Sequence, residues 1–375
     1  MTRRVSGGGA LSAAARGPRG AFAALAVTAV CGMSAVLANG PAGRLSPPLV
    51  RVEASAPHMG TLARVVLYAP SRQAGDAAAA AAFARIGELD ARLSDYRDDS
   101  EVSALGRATA GVAVPVSADL FAILASSDAL ARRTGGAFDV TAGRLTHLWR
   151  RARRLNTWPE AARVAEARAA GGSAKLRLDP RQRTATLATA GLAIDAGGIA
   201  KGYAADEALR VLRDRGIGAA LVALGGDLAA GDPPPGQAGW HVAIPRLATS
   251  GSPADPFWIA LAQAAVSTSG DAEQWMTADG VRRSHVIDFR TGWPVTGRTA
   301  TSVVARRGID ADALSTALGV LDREAGAALL RDHDPGAPAQ ALWQGLRDDG
   351  TADIRFTAQW PAMPRPVAIT ARGTR

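Results

Sequence analysis

One ten-residue passage, Ile194-Asp195-Ala196-Gly197-Gly198-Ile199-Ala200-Lys201-Gly202-Tyr203, constrains this chain more than any other. It reads as a strand end that passes through two glycines into a helix carrying an acid and one of only two lysines in 375 residues, the other being Lys175. Glycines without a Cβ let backbone approach a ligand closely. A helix starting there aims unpaired N–H groups and the positive end of its dipole at an anion. Lys201 falls in the first turn. Arginine is abundant here, so an ammonium in this place points to a compact point charge. A glycine-rich turn with a solvated lysine fits the same residues, and the passage alone leaves a phosphate or metal site and a plain turn equally open. The spacing departs from G-x-G-x-x-G and no G-K-[ST] follows, so neither a Rossmann nor a Walker nucleotide site is indicated.

Around this passage the pattern is βαβ-like. The helix runs on through Leu209 and Leu212 to Gly216, and residues 219–224 return as an apolar strand into Gly225-Gly226-Asp227. A hydrophobic fraction of 47% permits a sizeable core. The formal charge of +9 raises nucleic acid as a partner. The arginines are scattered, however, and aromatic residues make up only 5%, which argues against a stacking platform for single strands.

Residues 1–44 do not read as folded domain. Arg3, Arg4, Arg16 and Arg19 precede an uncharged run over residues 20–43, the pattern of a secretory signal peptide or an N-terminal membrane anchor. Val36-Leu37-Ala38 offers a cleavage context. The only cysteine, Cys31, lies inside this run, so a cleaved chain would lack disulfides, cysteine metal sites and cysteine nucleophiles. We expect a linker over residues 45–57, a domain over 58–360 and a basic, disordered tail over 361–375.

Within the domain, residues 62–68 have strand composition, and a helix over 76–93 sets Phe83, Ile86, Leu89 and Leu93 on one face. It leads into Ser94-Asp95-Tyr96-Arg97-Asp98-Asp99, where Tyr96 by itself is a surface turn residue. Ser117 caps a helix carrying Leu120, Ile123, Leu124 and Leu130, which Gly135-Gly136 stops. Ala137-Phe138-Asp139-Val140-Thr141 is then a turn or a ligand-facing edge. Residues 145–170 are arginine-rich with Trp149 and Trp158 and read as a solvated insertion, with Pro159 opening a helix. Residues 176–187 form a hairpin. His285 and Asp288, three apart in an extended segment, point to opposite faces; one faces a site and the other holds a turn. Asp312 and Thr316 lie one turn apart on a helix face and supply two hard oxygens, as magnesium requires or as a simple cap would. No His/Cys cluster suits zinc.

Singly these segments are weak, but their order is specific. Met59-Gly60-Thr61, Leu93-Ser94-Asp95-Tyr96, Phe138-Asp139, residues 195–202, Leu224-Gly225-Gly226-Asp227, Ser267-Thr268-Ser269-Gly270, His285-Val286-Ile287-Asp288 with Thr291-Gly292, and Ala311-Asp312 with Ser315-Thr316 resemble the ApbE family of FAD:protein FMN transferases over roughly residues 50–340. The resemblance implies an α+β, T-fold-like domain with mixed or antiparallel sheets and packed helices, exported to the periplasm or the outer face of the membrane. It implies FAD as substrate and Mg²⁺ as cofactor, transfer of FMN through a phosphoester to a threonine of an acceptor protein, and release of AMP. By motif, Met59, Tyr96, Ala137, Phe138, Asp139, Asp195, Lys201 and Ile287 would contact FAD. Gly198, Asp312, Ser315 and Thr316 would surround the metal. His285 would act as base beside the acceptor hydroxyl, so that His285 and Asp312 carry the catalysis. Phe289 stands where a proline is usual, and Ser315 where some members have a second aspartate. Hydrolysis of FAD to FMN and AMP, and non-catalytic flavin binding, are the alternatives.

Overall fold

The computed structural model describes residues 48–247, 254–270, 275–278, 280–347 and 349–363. Eight strands form one sheet whose spatial order is chain order: β1 (Val50–His58), β2 (Thr61–Ala69), β3 (Ala220–Leu224), β4 (Asp227–Ala230), β5 (Ala264–Gly270), β6 (Arg298–Ala305), β7 (Gln340–Leu346) and β8 (Ala352–Phe356). Every neighbouring pair is antiparallel. The helices occupy two long connections. Between β2 and β3 come α1 (Arg72–Leu93), α2 (Glu101–Gly106), α3 (Ala118–Arg133), α4 (Gly143–Leu155), α5 (Ala161–Ala170) and α6 (Ala200–Asp214); between β6 and β7 come α7 (Gly308–Leu318) and α8 (Arg323–Arg331).

Strand periodicity divides the core into two layers. Val65 and Leu67 of β2 face the helices with Val222, Ala229 and Val303, while Val66 and Tyr68 face the other way with Leu221, Leu228 and Val266. That second face is covered by a three-stranded sheet of Trp240–Ile244, Phe257–Leu261 and Ala362–Met363, with Trp240 buried against it. The α+β class and the antiparallel sheets are those expected. So are the hairpin over 176–187 and the Ser117 cap, whose Oγ accepts from Leu120 N at 3.1 Å.

Five expectations are corrected. Residues 50–57, read as linker, belong to β1, which pairs with β2 along its whole length. Its alternation of Val50, Val52, Ala54 and Ala56 with polar residues is a strand signal, and Pro57 is tolerated because β1 is an edge strand. No strand precedes the double glycine; residues 191–199 are irregular, so α6 follows a loop and there is no βαβ unit. The arginine-rich stretch is not a solvated insertion. Leu145, Trp149 and Ala152 lie on one face of α4 and, with Val164 and Met276, build a third core against which Trp158, Ile287, Phe289 and Trp293 pack. Pro159 lies before the Glu160 cap of α5 rather than inside the helix. Of the expected tail, Ala362 and Met363 pair with Phe257–Leu261. The remainder of that tail, residues 1–44 and Asp271 lie outside the described residues. Among the described residues no helix is long and apolar enough to cross a membrane.

Register places one end of the large sheet at the centre of interest. The β1–β2 turn at Met59 and Gly60, the β3–β4 turn at Gly225 and Gly226, and the end of β5 at Ser269 and Gly270 all fall there.

Candidate functional site

Helices α6 and α7 cross over that end of the sheet at a contact only glycine permits. A Cβ on Gly202 would lie 2.0 Å from the Gly308 carbonyl oxygen and 2.7 Å from the Asp312 Cβ. Because the backbones meet, Gly202 N–H donates to Asp312 Oδ2 at 3.0 Å. Asp206, one turn along α6, accepts from Gly308 N at 2.7 Å and Ile309 N at 3.0 Å and so fixes the start of α7. Asp312 is thereby held at 2% exposure.

Lys201 Nζ lies 2.7 Å from Asp227 Oδ2 and 3.8 Å from Asp312 Oδ2. Two buried carboxylates share one ammonium, which leaves the cluster short of a positive charge. Burial, then the neighbouring Asp227, pushes the Asp312 carboxyl up to about 7. Burial works against the Lys201 charge, but Asp227 and Asp312 outweigh it and raise its proton affinity. Behind the carboxylates runs a chain of hydroxyls. Ser267 Oγ donates to Asp227 Oδ1 at 2.5 Å and lies 3.0 Å from Ser315 Oγ, which is 2.8 Å from Ser269 Oγ; Ser269 in turn is 3.2 Å from Thr316 Oγ1.

Above Asp312 the chain comes close enough that a Cβ on Gly198 would sit 3.0 Å from Thr316 Oγ1 and 3.3 Å from the Phe138 ring. The cradle is thus lined by backbone, hydroxyl and carboxylate oxygens. Among the described residues no group of three His, Cys, Asp or Glu side chains could hold a metal. This donor set fits magnesium, which binds through one or two carboxylates and completes its shell with water and substrate phosphates.

The second half of the site is an aromatic edge. Asp195 accepts from Gly197 N at 2.8 Å and from Arg150 Nη2 at 2.8 Å. The same guanidinium, on α4, ion-pairs with Asp95 through Nη1 and lies 4.7 Å from the centre of the Tyr96 ring. His147 Nε2 is 3.0 Å from Asp95.

The structure therefore gathers Gly198, Lys201, Asp312 and Thr316, and joins Asp195 to Tyr96 through Arg150. The remaining residues are placed as follows. Ser315, expected at the metal, is fully buried, and its hydroxyl is engaged by Ser267, Ser269 and the Asp312 carbonyl, so it supports the cluster from behind. The Asp139 carboxylate is consumed by its own turn. It accepts from Thr141 N and Oγ1 and from Ser173 N, and burial pushes its carboxyl up. Ala137 and Phe138 are buried at 3% and 5% exposure. Met59, half-buried in a left-handed conformation at φ 50°, donates its N–H to Asp90 at 2.9 Å. His285 is exposed on the strand Val281–Asp288, which lies beside β5; Ile287 of that strand packs into the third core. Asp288 holds the turn, accepting from Arg290 N through Oδ1 and from Gly292 N through its carbonyl. Phe289 packs against Gly171, so the turn closes without the usual proline. Asp95, Asp227, Ser267 and Ser269 lie in recognised motifs without an assigned role. Arg150 and His147 are singled out by no motif, and only the aspartate directly after Gly225-Gly226 offers a local signal for any of the six.

This fold, with an acidic lysine-bridged cluster at a helix crossing and an aromatic edge beside it, is the class of the solved flavin transferases. The flavin transferase ApbE from Vibrio cholerae superposes with a TM-score of 0.71 at 26% identity, covering 83% of this chain and 98% of that one. The flavinyl transferase ApbE from Pseudomonas stutzeri gives 0.71 at 29% identity, covering 83% and 96%. The ApbE family model matches residues 59–340, and the chain belongs to that family. The FAD:protein FMN transferase of Treponema pallidum is 35% identical over 313 residues, 79% of this chain and 85% of the relative. That of Haemophilus influenzae is 32% identical over 243 residues, 63% and 70%.

Proposed function

We propose that this chain is an FAD:protein FMN transferase. The observation that carries the reading is the Lys201, Asp227 and Asp312 cluster, short of one cation and set beneath the Gly198 cradle. The acceptor threonine hydroxyl attacks the FMN phosphorus of FAD, the bond to the AMP phosphate breaks, and AMP departs. The threonine proton passes to His285, which stands exposed on the neighbouring strand. Phosphoryl transfer of this kind needs positioning and charge neutralisation more than covalent help. Gly198, Asp312 and Thr316 would hold magnesium, which when bound neutralises the pyrophosphate. Tyr96 and Asp195 would engage FAD from the aromatic edge. The uncharged run over residues 20–43 behind the basic residues Arg3, Arg4, Arg16 and Arg19 supports export, to the periplasm or to the extracytoplasmic face of the cytoplasmic membrane.

The test is incubation with FAD, Mg²⁺ and an acceptor carrying an Asp-x-x-Thr target sequence. Flavin fluorescence that stays with denatured acceptor, with AMP released, supports transfer. AMP with unlabelled acceptor means hydrolysis, and no AMP at all refutes both enzyme readings.

A further inference from the structure

The arginine-rich stretch supplies one residue whose placement nothing in its sequence announces. Arg150 is one side chain meeting two buried carboxylates and an aromatic face. Its Nη2 donates to Asp195 at 2.8 Å, its Nη1 pairs with Asp95, and its carbon centre lies over Tyr96 at 4.7 Å. The carboxylates are 8% and 10% exposed and the guanidinium 23%, while the Tyr96 ring on the outside is 76% exposed. Burial alone would raise the Asp95 carboxyl, yet His147 and Arg150 hold it below its ordinary range. The fork geometry matters, because a planar guanidinium can satisfy two carboxylates in its plane and still present its face to a ring.

Helix α4 is itself anchored. The residue before Arg150, Trp149, is buried in the third core and donates Nε1 to the Gly292 carbonyl at 2.8 Å. Arg150 therefore projects from a fixed helix into the irregular segment that leads to Gly197 and Gly198. An exposed tyrosine on a polar loop is ordinarily free to turn, and ordering it weakens any stacking it offers. Here one ring face is already occupied and the other is left to solvent.

We infer that Arg150 is a positioning residue which holds the Tyr96 ring and the Asp195 loop in place, so that the outer face of Tyr96 stacks on a planar ring of FAD. The inference rests on the transferase reading for its ligand. FAD has two such rings, isoalloxazine and adenine, and the two fragments FMN and ADP separate them.

The experiment titrates the full chain with FAD, FMN and ADP, comparing Arg150→Lys, Arg150→Met, Tyr96→Ala and the Arg150→Met/Tyr96→Ala double variant, with Tm recorded for each. Arg150→Lys keeps a charge for the carboxylates and loses the planar face. The expected result is a loss of roughly three- to thirtyfold in affinity, at unchanged Tm in the lysine variant, confined to one fragment. Tyr96→Ala loses the same fragment, and the double variant loses no more than the larger single effect. Equal loss on both fragments, additive losses, a loss only where Tm also falls, or unchanged affinity in Arg150→Lys each overturn the inference while FAD binding by the unaltered chain leaves the transferase reading standing. Failure of the unaltered chain to bind FAD overturns both.

Discussion

Replacing Gly202 by alanine tests whether the α6/α7 crossing sets the position of Asp312. The added methyl would lie 2.0 Å from the Gly308 carbonyl oxygen and 2.7 Å from the Asp312 Cβ, both rigid parts of α7. An ordinary carbon to oxygen contact is about 3.3 Å or more, so the helices must part by roughly 1 Å. That lengthens the 3.0 Å bond from Gly202 N to Asp312 beyond hydrogen-bonding range. Overpacking costs about 1–3 kcal/mol and loss of a hydrogen bond to a charged group about 1.5–3, against a gain of up to about 1 from alanine's helix propensity. The net is about 2–5 kcal/mol, which at roughly 2–4 °C per kcal/mol predicts a fall in Tm of about 4–20 °C. Thermal unfolding followed by circular dichroism measures it. Gly198→Ala is the companion. Its methyl meets Thr316 Oγ1 at 3.0 Å and the Phe138 ring at 3.3 Å, side-chain atoms that can give by a few tenths of an ångström. That variant should keep Tm nearly unchanged and lose most FAD-dependent AMP release. A Gly202→Ala protein with unaltered Tm and AMP release would refute the reasoning.

Lys201→Met leaves Asp227 and Asp312 buried without their shared ammonium, and should lower both Tm and AMP release, the latter at least tenfold; AMP release within twofold of the original in a kinetic assay would contradict that. Ser267→Ala strips Asp227 of its 2.5 Å donor and should destabilise by about 1–3 kcal/mol in urea unfolding. Trp149→Ala empties the third core and should cost about 3–5 kcal/mol, whereas a solvated insertion would register almost nothing. The Asp312 carboxyl, raised to about 7, favours the folded protein most at low pH, and this contribution is lost as pH rises through 7. Magnesium requires the ionised form. The Tm gain on adding Mg²⁺ should therefore be larger at pH 8 than at pH 6, and calorimetry in two buffers near pH 7 should detect proton release on binding.

What the sequence reveals of the site is what local spacing encodes. Asp312 and Thr316, one turn apart, do share a face, and the double glycine before α6 does let backbone reach a neighbour. The partners across the crossing are set by strand register and helix packing, so that Ser267 meeting Ser315 across 48 positions leaves no local trace. Arg150 is hidden among many arginines, and its role comes only from where α4 docks. Polarity misled at α4, where Leu145, Trp149 and Ala152 carried the true signal beneath the surrounding charge. In β1, Pro57 outweighed a plain two-residue alternation, although an edge strand loses little from a missing N–H.

The most direct test is mass spectrometry of an acceptor with an Asp-x-x-Thr sequence after incubation with FAD and Mg²⁺. The account predicts a gain of one FMN less one water on the target threonine, matched by released AMP and lost in Asp312→Ala. An unmodified acceptor beside free FMN and AMP, or labelling that survives Asp312→Ala, would contradict it.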